Sequence, residues 1–124
     1  MLKLMVVDDS NVIRRRIERC HITSTTFNVV ATAANGLEAI EAYKRSSPDV
    51  ITMDLTMPEM DGLECIQALI NLNPDVIILV ISALSDKATG IQALEYGARG
   101  FVCKPFTDEA LISALTEIVE DINE

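Results

Sequence analysis

One histidine, three scattered cysteines and no glycine-rich nucleotide loop are the shortages of this chain, and each removes a class of function. His21 is the sole imidazole, so a Ser-His-Asp triad or a Cys-His dyad would have to rest on this one residue, beside Cys20 at an expected helix end. Cys20, Cys65 and Cys103 form no C-x-x-C or zinc-type pair, and distant thiols in odd number point to reduced, packed cysteines. The five glycines make neither a G-x-x-x-x-G-K loop nor a G-x-G-x-x-G turn, so a nucleotide is not an expected ligand. No apolar run approaches the ~20 residues of a membrane span. Met1-Leu2-Lys3-Leu4 leads straight into a strand-like segment without the zones of a secretion signal, and a cytoplasmic location is expected. Basic residues are few as well: 10 Lys and Arg against 19 Asp and Glu give a net charge of −9, which disfavours nucleic acid and anionic lipid and favours cationic ligands.

What is present is a steady alternation of apolar runs and helical patterns, without linker or low-complexity tract. It predicts one α/β domain, residues 1–124, around a parallel sheet and with no output domain. Strands are expected at Leu2–Asp8, Phe27–Ala33, Asp49–Asp54, Val76–Ile81 and Gly100–Cys103. The first helix follows a Ser10 cap with Ile13, Ile17 and Cys20 inward, and the second opens with Asn35 and Glu38 at capping-box spacing, carries Ile40 and Tyr43, and ends at Ser47-Pro48. The loop Met57–Gly62 precedes a third helix with Leu63, Ile66, Leu69 and Ile70, closed by Asn73-Pro74. A fourth is expected over Asp86–Tyr96 after a Ser85 cap, with Gly90 inside it and Gly97 at its end. Thr107 caps the last, with Leu111, Leu115, Ile118 and Ile122 inward.

Two of these apolar runs stop at acid, and three aspartates follow them. Asp8 and Asp9 follow Leu4–Val7, and Asp54 follows Val50–Met53. Right-handed crossovers put all strand C-termini at one edge of such a sheet, so these aspartates should meet there, with Ser82 and Lys104 from the ends of the fourth and fifth strands. Carboxylates ~5 Å apart repel by roughly 3 kcal/mol per pair at an effective dielectric near 20, so the site demands a counter-charge. Oxygen-rich carboxylate sites suit Mg²⁺, which commonly joins protein carboxylate to phosphate, while a lysine and a hydroxyl suit phosphoryl oxygens. A carboxylate can itself act as the nucleophile of phosphoryl transfer.

Val6-Val7-Asp8-Asp9-Ser10, Met53-Asp54-Leu55-Thr56-Met57-Pro58 with Asp61-Gly62, Ser82-Ala83 and Lys104-Pro105-Phe106 resemble, in order and across nearly the whole chain, the signature segments of bacterial response-regulator receiver domains, most similar to the stand-alone CheY-type chemotaxis regulators. The resemblance implies a doubly wound (βα)5 flavodoxin-like domain, with five parallel strands in the order 2-1-3-4-5 and helices on both faces. It implies Asp54 as acceptor of a phosphoryl group from a CheA-like sensor histidine kinase. Mg²⁺ would be held by Asp9, Asp54 and the backbone carbonyl of Thr56, with Asp8 acting through water. Ser82 and Lys104 would engage the phosphoryl group, Phe101 would be the aromatic switch, and the Lys104-Pro105 bond would be cis. Activation would reshape the face of the fourth helix, fifth strand and last helix toward a protein target such as the flagellar motor switch, in a monomer, with a phosphatase as a further possible partner. The alternative is a phosphorelay intermediate that passes phosphate to a histidine phosphotransfer protein.

Several residues bear on these expectations. Phe101 stands where the best-known chemotaxis regulators have tyrosine, so contacts through a phenolic hydroxyl are absent, and Thr56 and Leu84 fill positions that tune phosphate lifetime in the family. An aspartyl-nucleophile phosphatase would need a D-x-D motif, whereas Asp8 and Asp9 are adjacent, so no enzyme acting on a separate substrate is expected. Arg14, Arg15, Arg16 and Arg19 form a basic face on the first helix; spacing pairs Arg14 with Glu18, and the remainder suit either solvent or an acidic kinase surface.

Overall fold

A computed structural model describes residues 1–83 and 87–122. The elements run β1 (Leu2–Val7), α1 (Asn11–Arg19), α2 (His21–Thr26), β2 (Phe27–Ala33), α3 (Gly36–Ser46), β3 (Val50–Met53), α4 (Gly62–Leu72), β4 (Ile77–Ala83), α5 (Lys87–Glu95), β5 (Gly100–Lys104) and α6 (Asp108–Ile122). The strands form one parallel sheet in the order β2-β1-β3-β4-β5, as expected. None of the described helices is long and apolar enough to cross a membrane.

Alternation along the strands divides the core in two. Met5, Val7, Ile51 and Met53 face one layer with Ala39 and Tyr43 of α3, Ile66 and Leu69 of α4 and Ala93 of α5. Leu4, Val6, Val50, Leu79 and Ile81 face the other, with Ile17 of α1 and Leu111, Leu115 and Ile118 of α6. Apolar side chains on both faces explain why the strands read as unbroken hydrophobic runs.

The caps lie where side chains can take the orphan amides. Ser10 accepts from Ile13, Asn35 from Glu38, Asp61 from Glu64 and Thr107 from Ala110. The expected cap Ser85, together with Leu84 and Asp86, lies outside the described residues.

Several expectations need correcting. The six-residue helix α2 has no apolar period in sequence; Cys20 turns extended at ψ 137° and ends α1, and the hydroxyls of Ser24 and Thr25 both donate to the His21 carbonyl to build the next turn. Ile122 is 37% exposed at the last turn of α6, so the inward stripe ends at Ile118. Asp8 and Asp54 follow their strands, whereas Ser82 and Lys104 lie inside the ends of β4 and β5. Cys20 and Cys65 are buried, but Cys103 is only half-buried.

Gly62 is the first residue of α4, where alanine would ordinarily be the better helix former. An added Cβ would lie 2.5 Å from both the Asp54 carbonyl oxygen and Leu55 Cα, and the Gly62 amide donates to the Leu55 carbonyl at 2.9 Å. Gly62→Ala should therefore destabilise by about 2–4 kcal/mol in urea unfolding. Gly100→Ala, whose obstacle is the flexible end of Leu79 at 3.1 Å, should cost less than half as much.

Candidate functional site

Register brings the acids together. Val7 of β1 pairs with Met53 of β3, so Asp8 and Asp54 leave the sheet at the same level, and the Asp54 amide donates to the Val7 carbonyl at 3.0 Å. Asp9 follows on the rim, exposed, while Asp8 and Asp54 are buried. One carboxylate oxygen from each of Asp8, Asp9 and Asp54 falls within 4.8 Å of the other two. From the next strands, β4 delivers buried Ser82 beside Cys103, and the adjoining pair, Ala83 with Lys104, closes β5. The aspartates, Ser82 and Lys104 expected at this edge are thus all found there.

Lys104 supplies the counter-charge available within the chain. Its Nζ lies 2.8 Å from Asp8 Oδ2 and 3.5 Å from Asp54 Oδ1. Burial alone would pull the ammonium's pKa down, but the two carboxylates outweigh burial and hold it above the usual lysine value. Asp8 Oδ1 is occupied by the Ser10 amide at 2.9 Å, and Asp54 Oδ1 by the Thr56 amide at 3.3 Å. Thr56 is exposed, the third residue after β3.

One lysine does not neutralise three carboxylates. Burial, and then the charge of Asp8, push the Asp54 carboxyl up to about 6; Lys104 and the Thr56 amide pull it back, and Asp9 adds a smaller push. Three hard oxygen donors with excess negative charge at a sheet edge fit a small divalent cation. No thiol competes for the chemistry in this layer: burial, and behind it Asp61, push Cys65 up to about 12.

The surroundings were partly legible. The Lys104-Pro105 bond is cis. Phe101 is half-buried and packs against Gly90, where any Cβ would collide with its ring, so Gly90 is a packing glycine. Arg14 does not reach for Glu18; its guanidinium turns back to the Asp8 carbonyl at 2.6 Å and Asn11 at 3.3 Å. Arg16 lies 4.6 Å from the centroid of the Phe106 ring and 3.6 Å from Asp108. Arg15 and Arg19 stay exposed and line a groove of about 450 Å³ with Val12 and Cys20. Asp61-Gly62 was legible as part of a signature segment, though not the reason for its glycine; sequence reasoning missed Arg14, for which the Asn11-to-Arg14 spacing was the available signal.

Residues 4–116 match the family described as the response regulator receiver domain. The chain belongs to this family. It is 39% identical to the chemotaxis protein CheY of Listeria monocytogenes over 93% of this chain and 96% of that one. It is 42% identical to a protein-glutamate methylesterase/protein-glutamine glutaminase of Carboxydothermus hydrogenoformans over 98% of this chain but only 34% of that protein. The CheY in the CheX-CheY-BeF3-Mg complex of Borrelia burgdorferi superposes with a TM-score of 0.88 at 30% identity, covering 95% of this chain and 89% of that one. This chain is therefore a receiver domain of two-component signalling with CheY chemotaxis homologues.

Because the folded receiver holds Asp54 near 6 against an ordinary value of 3.8, the metal-free protein loses stability as pH rises through that window. Asp54→Asn should raise the stability of the metal-free protein by about 1–2 kcal/mol at pH 8. The gain should shrink below pH 6 and vanish below about pH 4, where both states are protonated. Thermal melts in a chelator across pH 3.5–8 check this.

Proposed function

We propose that the protein is a Mg²⁺-dependent phosphoryl switch in which Asp54 accepts a phosphoryl group from a phosphohistidine on a CheA-like sensor kinase. The observation that carries the reading is Lys104 spanning Asp8 and Asp54 beside the exposed carboxylate of Asp9. Asp9, Asp54 and the Thr56 carbonyl would hold Mg²⁺, with Asp8 acting through water; when bound, the ion neutralises charge that would otherwise repel an anionic phosphoryl group. Above pH 6 Asp54 is an ionised nucleophile. Its oxygen forms the new P–O bond as the donor's P–N bond breaks, and the imidazole nitrogen keeps that electron pair. Lys104 then turns from the carboxylate to the phosphoryl oxygens, and the Ser82 hydroxyl donates to them.

The output follows from Ser82 and Phe101. Movement of Ser82 toward the phosphoryl group changes the space beside β5, so Phe101 repacks against α5. Lys87, Gly90, Ile91, Leu94 and Phe101 line an apolar cavity of about 170 Å³, and Ile91 and Leu94 are exposed at 52% and 44%. The α5-β5-α6 face would thus present an altered apolar surface to a protein target, the flagellar motor switch in a chemotaxis pathway, with a phosphatase to end the signal. Ligands of the receiver bias states that already exist, as in other two-state switches.

Two results test the reading. Asp54→Asn should form no stable acyl phosphate from acetyl phosphate and Mg²⁺, followed by phosphate-affinity electrophoresis; retained labelling would move the acceptor elsewhere. Reversing Arg15 and Arg19 to Glu should slow transfer from the kinase at least tenfold while leaving acetyl phosphate labelling intact, because two exposed charges in an acidic chain suit an acidic donor surface. Equal slowing with both donors would remove the docking role.

A further inference from the structure

We infer that Arg14 is a positioning residue for the acidic centre, acting on Asp9 through the backbone of Asp8; the inference rests on the proposed Mg²⁺ site. Among the four arginines of α1, Arg14 alone is half-buried, while Arg15, Arg16 and Arg19 are exposed. Its guanidinium is held as a fork, Nη1 donating to the Asp8 carbonyl at 2.6 Å and Nη2 to Asn11 Oδ1 at 3.3 Å. Its own amide donates to the Ser10 carbonyl at 3.0 Å, so backbone and side chain of one residue both grip segment 8–10.

The gripped carbonyl is the one that matters for direction. β1 ends at Val7, whose carbonyl takes the Asp54 amide; the Asp8 carbonyl is the next along and lies past the end of the strand. The Asp8 amide is tied to the Ala33 carbonyl at 3.0 Å, and Asp8 Oδ1 to the Ser10 amide at 2.9 Å. With Arg14 on its oxygen, the peptide joining Asp8 to Asp9 has its plane fixed. Asp9 is exposed, and its Cβ is placed by the backbone on either side of it: the Asp8–Asp9 peptide, held through the Asp8 carbonyl, and Ser10, whose carbonyl takes the Arg14 amide. A charge-assisted bond from a planar fork resists rotation of the peptide better than a single amide or ammonium would. The positive charge of Arg14 is also spent on a carbonyl, which leaves the three carboxylates to the cation and Lys104.

Outer partners that orient metal ligands typically govern affinity by ten- to a hundredfold. Mg²⁺ titration of the full chain by calorimetry, with thermal melts of each variant, provides the test. Arg14→Met should weaken Mg²⁺ binding about tenfold, Arg14→Lys should recover part of the loss by keeping one donor, and Lys44→Met, an exposed charge on α3, should match the wild type. Asn11→Ala, which frees one arm of the fork and leaves the Asp8 contact, should weaken binding two- to threefold and serves if Arg14→Met does not fold. A lowered melting temperature with unchanged Mg²⁺ affinity in Arg14→Met, or in Asn11→Ala where only that variant folds, would show a purely structural arginine and overturn the inference. Failure of the wild type to bind Mg²⁺ would instead strike the site itself, and the positioning role with it.

Discussion

Mutual repulsion among Asp8, Asp9 and Asp54 is the constraint around which this receiver is arranged. A parallel sheet whose strands end together cannot keep these carboxylates apart: paired Val7 and Met53 deliver two of them at one level, and Asp9 is the next residue. The cost at such separations is roughly 3 kcal/mol per pair. Lys104 offsets part of it by reaching both buried acids, at 2.8 and 3.5 Å, while burial first, and then the charge of Asp8, still raise the pKa of Asp54. The fold therefore carries an electrostatic demand at this edge that one lysine does not meet.

That demand explains why neighbouring segments are held so firmly. The chain after Lys104 passes through cis Pro105 to Phe106, which is buried in the layer beneath α1 and α6. Arg16 covers the Phe106 ring and pairs with Asp108, so the lysine's C-terminal side is fastened to α1. On the other side of the site, Gly62 lets α4 begin against the Asp54 and Leu55 backbone, and Gly36 donates to the Met60 carbonyl at 3.2 Å to hold the loop between. Under the proposed phosphoryl switch, such anchored strand ends would keep the acids in place while the ammonium changes partner.

Much of this was legible in the sequence because its signals were redundant. Apolar runs ended by acid located the strands, capping residues located most helices, and crossover topology then brought five distant residues to one edge without any knowledge of contacts. What escaped depended on tertiary distance. The short α2 is built by the hydroxyls of Ser24 and Thr25, which carry no periodic pattern. The Arg14–Glu18 pairing is a local rule, and a carbonyl six residues back displaced it because the end of β1 leaves that oxygen without a strand partner. The glycines illustrate the same limit: Gly62 and Gly90 look like weak helix residues until the Asp54 carbonyl and the Phe101 ring occupy the space a Cβ would need.

The contact between Gly90 and Phe101 lies between β5, which ends at Lys104, and the exposed apolar face of α5. β4 and β5 are in register from Leu79–Gly100 to Ala83–Lys104, so Phe101 sits beside Val80, and Ser82 beside Cys103. On the far side, the ring meets a backbone without a side chain and a small apolar cavity, a boundary with room for a second arrangement rather than a packed wall. Interiors resist continuous deformation and respond by changing between discrete packings. Under the proposed phosphoryl switch, the free energy released when a phosphoryl group satisfies Lys104 and Ser82 can move the receiver between two such packings only by the difference in how well each one holds those contacts. Under that proposal a phenylalanine would suit the role through volume alone, since a steric coupling needs no phenolic hydroxyl.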